Sequence, residues 1–151
     1  MSDATSRGYF DIQINGFGGV DFNQDHLTAQ DLHKACLALQ ADGMETVLAT
    51  IITEHIDQMA LRLRRLVELR EQDPLARQVI AGVHIEGPFI NEQPGYRGAH
   101  PPDAIRPADL DEMKRLLDAA GGLTRLVTLA PERDPGLKLT RMLVQAGIKV
   151  S

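Results

Sequence analysis

Apolar residues along this chain keep two alternating rhythms. Short β-branched or alternating runs, typical of strands, are followed by stretches in which apolar residues recur every three or four positions, as on one helix face. YFDIQIN at 9–15 predicts the first strand. Thr28 then opens a helix, with Asp31 placed as in a capping box and Leu32, Ala35, Cys36 and Leu39 as its stripe. Gly43 is the stop signal. TVLATII at 46–52 predicts a second strand, and Ile56, Met59, Ala60, Leu63 and Val67 mark the next helix. QVIAGVHIE at 78–86 predicts the third strand, followed by a polar stretch at 91–107 rich in Pro and Gly. Leu110, Met113, Leu117 and Ala120 form a third helical stripe, closed by Gly121 and Gly122. LTRLVTLAPE at 123–132 reads as the fourth strand and its exit loop. Asp134-Pro135 predicts a helix start with Pro in the first turn, and Leu139, Met142, Leu143 and Ala146 lead to Gly147. IKVS at 148–151 looks like a fifth strand beginning.

The resulting order, βαβαβαβαβ, defines an α/β chain with a parallel sheet and right-handed crossovers. Strands apolar on both faces fit a sheet covered by helices. The pattern fits one domain over 8–151, with residues 1–7 expected as a mobile tail. Ligand sites in such folds lie at the C-terminal ends of the strands. Three polar residues stand there: Asn15, Glu86 and Glu132.

Composition narrows the classes. The chain has 151 residues, 43% hydrophobic and 25% charged, with net charge −5, which is ordinary for a globular protein. No basic cluster interleaved with aromatics suggests a nucleic-acid partner, and aromatics are only 4% with no Trp. Cys36 is the single cysteine, so no internal disulfide forms, in keeping with a reducing compartment. No apolar run approaches the roughly 18 residues of a membrane span, and MSDATSRGYF lacks a signal-peptide core. A cytoplasmic location without membrane association is expected.

Glu86 leads the candidate chemistry. A carboxylate at a buried strand end must be paired, protonated or metal-bound, because an isolated buried charge is costly. Metal binding or catalysis stands against a plain ion pair with a loop cation such as Arg97. His84, two residues back on the same strand face, reads by itself as a hydrogen-bonded core histidine. Gln13 and Asn15 form an amide pair able to line a site, although Asn before Gly is also a common turn pair. NGFGG matches a dinucleotide fingerprint poorly, since position 21 is Asp, and reads better as a tight turn beneath a substrate. PGYRGAH places Arg97 and His100 in the long loop, suited to a phosphate or sugar or simply to a solvated surface. His26, His33 and His55 receive no role, and Cys36 reads as packed core. No Ser-His-Asp set, C-x-x-C or H-E-x-x-H appears. A metal site needs about three protein ligands, and Glu86 is the one strong candidate.

DIQINGFGGVDF, HIEGPFI, GAH, VTLAPE and QAGIKVS, in this order and spacing, resemble the N-acetylglucosamine-6-phosphate deacetylases of the amidohydrolase superfamily, over nearly the whole stretch 8–151. The resemblance implies a (β/α)8 TIM barrel, present here as a partial barrel of about four β/α units plus the start of a fifth strand. It implies metal-dependent hydrolysis of the acetamide of N-acetylglucosamine 6-phosphate, giving glucosamine 6-phosphate and acetate. Glu86 then corresponds to a ligand of the catalytic divalent metal, zinc or iron. Gln13 and Asn15 stand where other amidohydrolases carry an H-x-H pair, as in a single-metal subtype. Ala99 and His100 correspond to substrate contacts. The family's two histidine ligands and its general-base aspartate correspond to positions beyond residue 151, so no catalytic residue is assigned within the chain. By itself it is expected to be inactive, either as a fragment or as a truncated gene product, and the longer form is expected to be a homo-oligomer. Two alternatives stay open: another amidohydrolase of imidase or dipeptidase type, and a non-enzymatic remnant.

Overall fold

The computed structural model describes residues 8–151; the tail expected at 1–7 lies outside the described residues. Strand β1 (Tyr9–Ile14) is followed by a small antiparallel hairpin, β2 (Gly16–Phe17) and β3 (Val20–Asp21). Helix α1 (Ala29–Ala41), strand β4 (Met44–Ile52), helices α2 (Ile56–Gln72) and α3 (Pro74–Val79), and strand β5 (Ile80–Glu86) come next. Helix α4 (Leu110–Ala119), strand β6 (Thr124–Thr128), helix α5 (Lys138–Gln145) and strand β7 (Lys149–Val150) complete the chain. The main sheet has the order β1-β4-β5-β6-β7, all pairs parallel. This is a curled half-barrel wall with helices on its convex side: the parallel α/β sheet that the alternating rhythm implies and the partial barrel that the family resemblance implies.

The alternation of side chains along each strand sorts the two faces. Val47, Ala49 and Ile51 of β4, Val83 and Ile85 of β5, and Val127 of β6 are buried in one apolar cluster with Leu32, Leu39, Leu63 and Leu116 of the helices. The other parity, Leu48, Thr50 and Ile52, then His84 and Glu86, then Leu126 and Thr128, turns to the concave side. The sheet is therefore greasy outward, toward its helices, and increasingly polar inward toward its C-terminal edge.

Local chemistry explains where the elements start. Thr28 Oγ1 accepts from the Asp31 amide at 3.1 Å, and the Asp31 carboxylate accepts from the Thr28 amide at 3.2 Å. That is the capping box read from the sequence. The third strand begins at Ile80 rather than 78, because Asp73 caps a short helix: its Oδ1 accepts from the Leu75 amide at 2.8 Å and Pro74 opens the first turn. The last helix also starts later than expected. Gly136 and Leu137 both have positive φ, so 135–137 form a turn and α5 begins at Lys138. Asp134 nevertheless caps it, accepting from the amides of Leu139 at 3.1 Å and Thr140 at 2.8 Å. NGFGG carries β2 and the tip of the β2–β3 hairpin, where Gly18 and Gly19 take the positive φ values that such a turn requires.

Candidate active site

The strand C-termini meet in an open cavity of about 460 Å³. It is lined by Gln13 and Asn15 at the end of β1, Glu86 at the end of β5, and Ala99 and His100 in the long loop. All five site residues singled out from the sequence therefore share one space. Arg97 and Tyr96 line it as well. Glu132 does not. Its carboxylate takes a hydrogen bond from the Asn91 side chain, which holds its pKa below the usual carboxylate range and ties the loop to the exit of β6.

A bulge in β1 brings Gln13 to Glu86. Asp11 pairs with Val47 and Ile14 with Ala49, so two residues of β1 face a single residue of β4. Ile14 stays in the helix-facing core while Ile12 and Gln13 both turn to the concave side. Gln13 Nε2 donates to Glu86 Oε2 at 3.1 Å. The other oxygen, Oε1, lies 3.8 Å from His100 Nε2, with both side chains largely shielded. Arg97 is not a partner of Glu86, so the ion pair weighed in the sequence is not formed. Instead the carboxylate has one oxygen fixed by an amide and one facing an imidazole across the cavity.

The backbone beneath Glu86 is held just as closely. Thr53 Oγ1 donates to the Glu86 carbonyl at 3.0 Å, and the Gly87 amide donates to the Thr128 carbonyl at 2.9 Å. Gly87 has φ +81°, and a Cβ there would sit 2.0 Å from Thr53 Oγ1. Only glycine fits that turn. Asn23 braces the neighbouring strand ends: its Nδ2 donates to the Thr50 carbonyl at 3.0 Å, and its Oδ1 accepts from the Ile52 amide at 2.9 Å. Neither Thr53 nor Asn23 stands out in the sequence. Their partners lie 33 and 29 residues away, beyond the reach of any local pattern.

His84 sits one layer down, almost fully buried. Its ring nitrogens meet Thr50 Oγ1 at 3.2 Å and Thr128 Oγ1 at 2.8 Å. Burial lowers its pKa to about 4, so the ring is neutral at pH 7. The hydrogen-bonded core histidine read from the sequence is what the fold contains.

The donor set falls short of a complete metal site. Among the described residues no three His, Cys, Asp or Glu side chains converge where an ion would be held. One carboxylate beside one imidazole is fewer than the three protein ligands a catalytic ion needs. The described residues do not fit a resident metal by themselves.

Fold and site together define the class: a parallel α/β-barrel wall whose chemistry lies at the strand C-termini. Within that class, the homologues of the chain are N-acetylglucosamine-6-phosphate deacetylases. The Bacillus subtilis enzyme of that name is 35% identical over 147 residues, which is 95% of this chain and 36% of the relative. An N-acetylgalactosamine-6-phosphate deacetylase of Escherichia coli O157:H7 is 30% identical over 94% of this chain and 36% of its own length. The crystal structure of N-acetyl-D-glucosamine-6-phosphate deacetylase from Mycobacterium smegmatis superposes with a TM-score of 0.81 at 32% identity, covering 95% of this chain and 39% of that one. No protein-family profile matches. The chain thus spans little more than a third of the length of the enzymes it resembles.

Proposed function

We propose that this chain supplies one wall of a deacetylase site that hydrolyses the acetamide of N-acetylglucosamine 6-phosphate to glucosamine 6-phosphate and acetate. The observation that carries the reading is the carboxylate of Glu86, anchored by Gln13 and facing His100 at the strand C-termini of a fold shared with deacetylases. In this reading Gln13 fixes the rotamer of Glu86, Ala99 and His100 form the substrate wall, and neutral His84 packs the layer beneath. Glu86 contributes one donor to a divalent ion, zinc or iron. The remaining donors and the general base come from outside the described residues, so no catalytic step is assigned to the residues present. The same reading carries a cytoplasmic setting and a homo-oligomeric longer form. Among the described residues no helix is long and apolar enough to cross a membrane.

The test is acetate release by the complete product of the reading frame that contains this chain. N-acetylglucosamine 6-phosphate, its galactosamine epimer, a cyclic imide and a dipeptide form the substrate panel. The account expects acetate from the first, with Glu86→Gln losing at least about a hundredfold in turnover, the scale of a removed metal donor or its support. Imide or dipeptide cleavage without acetate release would remove the proposal.

A further inference from the structure

At the opposite end of the sheet from Glu86, another open cavity of about 450 Å³ lies where β6 and β7 begin and α4 and α5 end. Every residue lining it belongs to these elements or to the turns between them. It stands apart from the deacetylase site and from that reading of function. Thr124 lines it and is only 6% exposed. Among the described residues its Oγ1 is buried without a hydrogen-bond partner, an arrangement that costs free energy until something meets the hydroxyl. Arg125 is the one charged side chain on the wall. A single terminal nitrogen, Nη1, donates to the Gly122 carbonyl at 2.9 Å and to the Thr124 carbonyl at 3.2 Å. Among the described residues the guanidinium has no carboxylate partner, and its Nε and Nη2 groups stay free for a ligand.

A bulge places these two side chains. Val83 pairs with Thr124 and His84 with Leu126, so Arg125 is an extra residue in β6. Thr124 therefore stays beside Val83 on the apolar, helix-facing side, and Arg125 turns to the rim. There its stem crosses Gly82, where a Cβ would sit 2.5 Å from Arg125 Cγ. The rest of the wall is apolar or bare. Leu117 and Ile148 pack against the core on either side. Gly122 and Gly147, with φ +79° and +77°, leave open space in which a Cβ would meet nothing within 4 Å. The last helix carbonyls are taken up within the chain: the Leu123 amide donates to Ala120 at 2.9 Å, and the Gly147 and Ile148 amides donate to Val144 and Leu143 at 3.0 Å.

We infer that this cavity binds a short-chain aliphatic carboxylate, with its carboxylate on Arg125 and Thr124 and its hydrocarbon chain between Leu117 and Ile148. A guanidinium with free N–H groups offers a carboxylate a charge-assisted pair. Thr124 Oγ1 lies just beneath the wall, and a turn about Cα–Cβ brings it to the ligand as a further donor. A neutral alcohol would leave the guanidinium unmatched, and an inorganic anion would leave the apolar walls unmatched.

The test is a saturation-transfer NMR titration of the purified 151-residue chain with butyrate, 1-butanol and inorganic phosphate. The expected result is binding of butyrate in preference to both others. Thr124→Val keeps the side-chain shape and removes the hydroxyl. It should weaken butyrate by about tenfold, the scale of a lost hydrogen bond to a charged group, and so should Arg125→Gln. Without butyrate, Thr124→Val should melt no lower than the parent, because the hydroxyl it removes has no partner to lose. Arg125 is exposed at the rim, so Arg125→Gln reports on the site even where the buried substitution perturbs folding. The inference is overturned if butyrate does not bind, or if 1-butanol or phosphate binds as well as butyrate. It is overturned equally if butyrate affinity is unchanged in Arg125→Gln or in folded Thr124→Val.

Discussion

Gly87 is the residue on which the placement of Glu86 depends. With φ +81° and Thr53 Oγ1 in the space a methyl group would take, Gly87→Ala should cost about 2 kcal/mol or more, read from urea unfolding. The loss combines backbone strain with a steric clash. Asp134 offers a second test. Burial alone would raise its pKa, but hydrogen bonds from the Thr140 amide and hydroxyl, and then from the Leu139 and Lys138 amides, outweigh it and hold the carboxyl below its ordinary value. The stabilisation is therefore present above the ordinary carboxylate range and is lost as pH falls through the lower folded-state value. Asp134→Ala should cost about 1–2 kcal/mol at pH 7 as a lost cap. Asp134→Asn should lose less stability than the parent between pH 7 and pH 3 in the same urea series. At this scale the acid that ends an apolar run before Gly-Pro was legible in the sequence. The bond from Gln13 was not, because it depends on a bulge that breaks the two-residue period of β1.

The elements were legible wherever periodicity and caps agreed. The stripe of α1 buries Leu32, Ala35, Cys36 and Leu39 as its spacing requires, and Thr28→Ala should cost about 1 kcal/mol by thermal unfolding. Helix α3 escaped notice because six residues give less than two turns of pattern, too few to set a period against the strand that follows. Reading Asp134-Pro135 as a helix start found the right capping residue and the wrong first turn, since one side chain can cap a helix across an intervening loop. In the polar stretch 91–107 the sequence showed length and glycines but not the tethers. The ion pair of Arg133 with Glu92 at 2.7 Å joins the loop to the exit of β6. Breaking it with Glu92→Ala should speed limited proteolysis at 93–98 while leaving global unfolding nearly unchanged, because the loop adds little to the buried core.

At the scale of the whole molecule, the concave face is the feature that a closed barrel would hide. Phe10 is 58% exposed and Ile12 53% exposed, and with Leu48, Ala81 and Leu126 they line an apolar hollow of about 370 Å³. Among the described residues, strands β1 and β7 each leave one edge without a neighbour in the sheet. Exposed strand edges beside apolar surface favour pairing between copies. The 151-residue chain should therefore run larger than a monomer in light scattering, and Ile12→Lys should shift it toward the monomer. Among the described residues the site holds one carboxylate, one imidazole and two amides, short of the donors that amide hydrolysis at a metal needs. Titrating zinc into purified residues 1–151 while following acetate release from N-acetylglucosamine 6-phosphate tests this one-wall account most directly. The account predicts no tightly held equivalent of zinc and no acetate above the blank. One tightly bound zinc per chain, with acetate release that disappears in Glu86→Gln, would contradict it.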